Sequence, residues 1–161
     1  DMMITDGHEV YHSIKGSDPA NWDFSKMPLL NPRIPAVNDG GLISISQKMA
    51  KQGGFKGRNP VQALCCCVYS MAYLITGGYM GYIATAKLWD IAGGVAIMSR
   101  HGLDARLISG PPLGVEVTED VYNLDFTSPN CWSLKGHSVM SRTPEATKYV
   151  IDNTILPPNI K

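Results

Sequence analysis

The stretch from Asn59 to Gly78 constrains this chain most, because it is apolar on nearly every face. Val61, Leu64, Val68, Met71 and Ile75 recur at helical spacing, and most of the positions between them are apolar as well. A helix of that pattern holds together only when buried on nearly all sides. Asn59 suits its N-cap and Pro60 its first turn, while Gly77 or Gly78 suits the left-handed position after its last. The run Val61–Ile75 is too short for a membrane span and carries Gln62 and Ser70, so it reads as a core helix.

Tyr79–Ala84 follows as a strand, and Leu88-Trp89-Asp90-Ile91-Ala92-Gly93-Gly94 opens a second helix ending near His101-Gly102. This places Asp90 in a first turn, where unpaired N–H groups and the positive end of the macrodipole favour anions. A carboxylate there can ligate a hard cation, and Mg²⁺ uses only one or two carboxylates plus phosphate oxygens. Ala92, Gly93 and Gly94 leave the helix surface bare for close approach. The ordinary alternative for Asp90 is a helix-capping residue.

This ordered set resembles the inositol monophosphatase family of Mg²⁺-dependent sugar and nucleotide phosphatases. Leu74-Ile75-Thr76-Gly77-Gly78, Tyr82-Ile83 and Trp89-Asp90-Ile91-Ala92-Gly93 occupy the places of that family's helix end, strand and Trp-Asp motif. Weaker echoes are Glu9–Gly16, like a strand leading to a Lys-Gly turn, and Gly136–Ser141 with the helix after it. The family's Asp-Pro-x-Asp-Gly loop has no counterpart; Asp18-Pro19-Ala20-Asn21 starts similarly but lacks the second aspartate and its glycine. The resemblance therefore implies the C-terminal half of a sugar-phosphatase-like α/β fold, a layered mixed sheet with packed helices, with residues 1–161 as one domain. It implies Mg²⁺-dependent hydrolysis of a small phosphate monoester, with Asp90 as a metal ligand. The remaining ligands would come from an N-terminal half or partner chain, and a homo-oligomer is expected. A non-catalytic binding or oligomerisation module is the competing expectation.

Two departures bear on the substrate. Cys65-Cys66 falls where the family has Gly-Ser or Gly-Thr beside the substrate ring, and Ala84-Thr85-Ala86-Lys87 lacks an acidic contact to a sugar hydroxyl. Cys65, Cys66, Cys67 and Lys87 are the candidate substrate-binding residues; Lys87 would meet a second phosphate or a carboxylate, or else stay solvated. On a helix, three consecutive cysteines point about 100° apart and cannot converge on one metal. Buried thiols in a reducing compartment are the plainer reading.

His8-Glu9-Val10-Tyr11-His12 spells the zinc-peptidase motif HExxH. Val10, Tyr11 and Ile14 favour a strand over residues 8–14, which would separate the two histidines by about 13 Å, too far for one zinc. Net charge is zero, which gives no electrostatic case for nucleic acid or a membrane surface; a cytoplasmic α/β domain fits. The remaining elements read as a Pro-, Asn- and Gly-rich loop from Gly16 to Gly41, a strand Leu42–Ser46 with Ser46 capping a helix to Lys51, and a loop Gly53–Arg58. A strand Asp104–Ser109, an irregular stretch 115–135, the last strand, and a Thr143-capped helix Pro144–Ile155 complete the chain.

Overall fold

The computed structural model of the chain describes residues 2–5, 8–13, 31, 36–38 and 40–158. Most of the Gly16–Gly41 loop, with Trp22 and Phe24, lies outside them, as do Lys15-Gly16 and Asp18-Pro19. Strands β1 (Met2–Thr5) and β2 (Val10–Ser13) pair antiparallel, with Met3 opposite His12. Then come β3 (Ile43–Ile45), α1 (Gln47–Gln52), β4 (Gly54–Phe55), β5 (Val61–Gln62), α2 (Cys67–Ile75), β6 (Gly81–Ala84), α3 (Leu88–Arg100), β7 (Asp104–Leu107), β8 (Ser138–Ser141), α4 (Pro144–Asn153) and β9 (Thr154–Ile155).

Among the described residues a five-stranded mixed sheet has the order β5-β3-β6-β8-β7. β5, β3 and β6 are parallel; β8 runs against both β6 and β7, so β7 points the same way as β6. Period-two alternation divides the side chains between two cores. Tyr82, Ala84 and Met140 join Met71, Leu74 and Ile75 of α2 and Ile91, Val95 and Met98 of α3 on one face. Ile43, Ile45, Ile83 and Val139 join Met49 of α1 and Ala146 and Val150 of α4 on the other. The β1–β2 hairpin lies outside the α2/α3 layer: Val10 is buried in that first core, and Arg100 Nε donates to the His8 carbonyl.

Local chemistry sets several element ends where the sequence puts them. Ser46 Oγ accepts from Met49 N at 3.4 Å, and Thr143 Oγ1 accepts from Ala146 N at 3.2 Å with Pro144 at the first position. Gly102, at φ +65°, follows the end of α3.

One expected element is shorter than its apolar run and is not buried on nearly all sides, since Val68, Tyr69 and Tyr73 of α2 are exposed. The helix begins at Cys67 rather than near Pro60, because Asn59 is used elsewhere. Its Nδ2 donates to the carbonyls of Asn38 and Gly41 at 2.8 and 2.7 Å, and its Oδ1 accepts from Tyr149 Oη at 2.8 Å. Pro60 O accepts from Ile43 N at 3.0 Å, drawing the next residues into edge strand β5. Cys65, at φ 52°, has a left-handed backbone that a helix interior excludes. The Gly53–Arg58 loop is likewise partly β4, paired antiparallel with β9.

Gly81 marks the tightest seam between sheet and helix: a Cβ there would lie 2.6 Å from Val150 Cγ2. A Cβ on Gly93, inside α3, would meet nothing within 4 Å outside its own helix backbone among the described residues. We expect Gly81→Ala to cost about 1–3 kcal/mol and Gly93→Ala to stabilise by about 0.5–1 kcal/mol. Urea unfolding should show opposite shifts in midpoint at unchanged m value.

Candidate functional site

Four strands of the main sheet, β5, β3, β6 and β7, share one direction, and this brings three helix starts to one edge. α1 begins directly after β3, α2 begins past the end of β5, and α3 begins after Thr85-Ala86-Lys87 at the end of β6. The connection between β7 and β8 closes over the same edge. Leu88 N donates to Trp132 O at 2.9 Å, Leu134 N donates to Ala86 O at 3.0 Å, and Lys87 bridges Ser133. The crevice outside the carboxyl ends of parallel strands, with helix N-termini pointing into it, is where open α/β sheets bind anionic ligands.

Three hollows open here. One of about 280 Å³ is bounded by Ser46, Lys48, Cys65, Cys67, Tyr82 and Thr85. A second, also about 280 Å³, shares Thr85 and adds Lys87, Asp90 and Ser133. The third is an apolar groove of about 330 Å³ between α2 and α3, lined by Met3, Val68, Met71, Trp89 and Ile97 and edged by Asp90.

Asp90 stands third in α3, half-buried, on the rim of two of these hollows. Its Oδ2 accepts from Lys87 N at 3.1 Å, which closes the first turn. Its Oδ1 accepts no hydrogen bond from the described residues. Lys87 is the N-cap, and its ammonium lies 5.1 Å from the centre of the Trp89 ring, a cation–π contact on a tryptophan that is 63% exposed.

The three cysteines occupy a loop and a helix start, not the interior of a helix, and they are not the buried thiols expected: Cys65 and Cys66 are exposed and Cys67 half-buried. Cys65 and Cys67 bound the first hollow; Cys66, the N-cap of α2, is exposed and lines none of it. Other groups here were not marked from sequence. Tyr82 Oη donates to Cys67 Sγ at 3.2 Å; burial, then that contact, pushes the Tyr82 phenol well above its ordinary range. Ser44 and Ser70 hydroxyls meet at 3.0 Å beneath. His137, just before β8, is 4% exposed, and its Nε2 has no hydrogen-bond partner among the described residues. A lone histidine between Gly136 and Ser138 carries no sequence signal of this placement.

His8 and His12 do not form a helical pair. His12 lies in β2 and His8 precedes the strand in a bend, so the two are not one turn apart on a helix, and the strand expected from residue 8 starts at Val10. No group of three or more His, Cys, Asp or Glu side chains among the described residues is placed to hold a metal. No helix among them is long and apolar enough to cross a membrane.

With this geometry in view, solved structures supply a comparison. The fold resembles that of inositol monophosphatase II from Staphylococcus aureus, at a TM-score of 0.56 and 14% identity over 78% of this chain and 44% of that one. It also resembles a Pyrococcus horikoshii protein described as similar to inositol-1 monophosphatase, at a TM-score of 0.54 and 14% identity over 90% and 52%. A dual-specificity inositol monophosphatase/NADP phosphatase bound to D-inositol-1-phosphate gives 0.53 and 14% over 75% and 42%. At the level of sequence, no family model and no curated protein matches the chain. The chain thus has an inositol-monophosphatase-like mixed α/β fold and spans about half the length of the structures it matches.

Burial, reinforced by the positive charge of Lys48, lowers the His137 pKa below its ordinary 6.5. His101 is lowered too, by burial and then by Arg142 and Arg100. The unfolded chain therefore binds these protons more readily than the fold does. Their contribution to stability is complete above 6.5 and is lost as pH falls towards the lowered folded values. We expect the thermal midpoint to drop between about pH 6.5 and 5, and His137→Gln to remove part of that slope. An unchanged slope in the variant would assign the titration elsewhere.

Proposed function

We propose that this chain supplies one half of a hydrolase for small phosphate monoesters, of the inositol, sugar or nucleotide phosphate class. The observation that carries the reading is Asp90, on the rim of a carboxyl-edge crevice into which helix starts point, in a fold like that of inositol monophosphatases. A phosphate in this crevice meets backbone N–H groups at the start of α3, and Thr85, Lys87 and Ser133 surround it with polar groups.

The donor set has one carboxylate. That suits a partial Mg²⁺ site: Asp90 offers one oxygen, while Mg²⁺ needs an octahedral set and sheds its waters reluctantly. When bound, the metal would neutralise phosphate charge and lower the pKa of the attacking water. The other oxygen of Asp90 holds the Lys87 amide, so the side chain is already oriented towards the crevice before any ion binds.

The rest of the site belongs, in this reading, to an N-terminal half in the same or a partner chain. Two features of the surface support it. The β1–β2 pair is a two-stranded sheet with open edges among the described residues, and such pairs are marginal alone. Beside it lies the apolar α2/α3 groove, where Met3 of the hairpin already lines one end and Val68 is 67% exposed. Extending the hairpin sheet over that groove would cover both. We place the protein in the cytoplasm, where reduced thiols are the resting state of its free cysteines, and take self-association of the completed fold as part of the reading.

A second reading is favoured by the single carboxylate: these residues act as a binding or oligomerisation module without turnover. Release of phosphate from inositol, sugar and nucleotide monophosphates, with and without Mg²⁺, separates the two. We expect no appreciable turnover from residues 1–161 alone, and Mg²⁺-dependent turnover once an N-terminal half brings further carboxylates. Asp90→Asn should then lower kcat by about 10²-fold or more. Strong turnover by the isolated chain, abolished by Asp90→Asn, would overturn the half-site picture. An inactive complete protein would establish the second reading.

A further inference from the structure

Cys65 and Cys67 border the same hollow, while Cys66 between them does not. The backbone explains this. Cys66 is extended, at φ −135° and ψ 104°, and an extended residue turns its own side chain away from those of its neighbours. Across one extended residue the flanking Cα atoms lie about 6.6 Å apart, inside the about 4.4–6.8 Å that a disulfide spans. Adjacent cysteines, at about 3.8 Å between Cα atoms, fall short of that window. Cys65 is exposed, so small thiol reagents can reach it. Cys67 is partly buried, and Tyr82 Oη donates to its sulfur at 3.2 Å, which holds that side chain on the hollow's side. Cys131 lines none of this space.

We propose that Cys65 and Cys67 form a dithiol modification site that closes reversibly to a disulfide by exchange with a small-molecule disulfide such as oxidised glutathione. The Cys65 thiolate attacks one sulfur of the reagent, forming a mixed disulfide and releasing one glutathione thiolate. The Cys67 thiolate then attacks the Cys65 sulfur and releases the second. The dithiol loses two electrons, the glutathione disulfide gains them, and the two thiol protons end on the two glutathione molecules. Closure ties the loop before α2 to the first residue of the helix and removes both thiols from the wall of the hollow. Any effect on turnover rests on the hydrolase reading above; formation of the disulfide does not.

The full chain, reduced and freed of reductant, is treated with oxidised glutathione, and its intact mass, free-thiol count and disulfide-linked peptides are measured. Cys66→Ser should lose two hydrogens in mass and two titratable thiols without retaining glutathione. Wild type and Cys131→Ser should form the same Cys65–Cys67 linked peptide beside any adduct on the exposed Cys66, and all should recover their thiols with dithiothreitol. Cys65→Ser and Cys67→Ser should instead stop at a stable glutathione adduct or remain unmodified. Circular dichroism confirms that each variant is folded. Ring closure that survives Cys65→Ser, or that disappears in folded Cys66→Ser, overturns the proposal. So does wild type that keeps glutathione on Cys65 without closing.

Discussion

Burial of β6 along its whole length is the constraint on which the rest of the molecule depends. Tyr82 and Ala84 face one helical layer and Ile83 the other, so neither face of the strand tolerates water and each must be roofed. Gly81 lets α4 come down onto the strand, because any side chain there would strike Val150. On the other face α2 enters β6 and α3 leaves it, and Gly94 of α3 accepts Met71 of α2 where a Cβ would collide. A second anchor holds α2 from behind. Arg142, buried at the end of β8, donates from Nη1 to Ile75 O at 2.6 Å, placing a cation at that helix's negative end. Once β6 and its two helices are fixed, the start of α3 has one place to be.

Asp90 therefore has a structural task, whatever chemistry is proposed for it. A carboxylate in the first turn, bonded to the N-cap amide, stabilises a helix start by about 0.3–1 kcal/mol through the dipole. The capping explanation is met in full by Oδ2, and Oδ1 is left over at the rim of the crevice. Capping uses one oxygen only, so it does not compete with the ligand role proposed for the residue. Lys87 makes the complementary point. With its ammonium over the Trp89 ring, it leaves the carboxylate without a permanent cationic partner among the described residues.

What could be read from the sequence follows from how local each signal is. Ser46, Thr143 with Pro144, and the Trp-Asp run mark helix starts by contacts within one turn, and α1, α4 and α3 begin where they say. Gly77, at φ 88°, likewise follows the end of α2. Asn59 carried the same kind of signal and misled, because its side chain satisfies carbonyls of residues 38 and 41 and the hydroxyl of Tyr149, 90 positions away. No local pattern predicts a partner at that distance. The apolar run from Val61 therefore splits into an edge strand, a left-handed turn at Cys65 and a shorter helix. That split also changes the chemistry of the cysteines. On a continuous helix their side chains would diverge; as loop, cap and first helical residue, the first and third face one hollow. The place of Asp90 in a first turn was legible because helix-start chemistry is local, whereas Tyr82 and His137 reach the edge only through sheet register.

The surface over α2 and α3 is an open apolar groove. Val68 and Trp89 are large, mostly exposed and adjacent to one groove, and a Cβ on Gly93 of that groove would meet nothing within 4 Å beyond its own helix among the described residues. An exposed glycine inside a helix weakens it by about 0.5–1 kcal/mol relative to alanine, a cost with no return in the described residues. It gains a purpose if another layer approaches α3 closely there, as Met71 approaches Gly94 one residue further on. The hairpin of β1 and β2 already occupies the neighbouring part of that layer, seated by Val10 and by the contact of Arg100 with the His8 carbonyl. A sheet continued from this hairpin would press against the bare glycine and enclose Trp89. It would also bring its own residues to the rim where the unbonded oxygen of Asp90 lies.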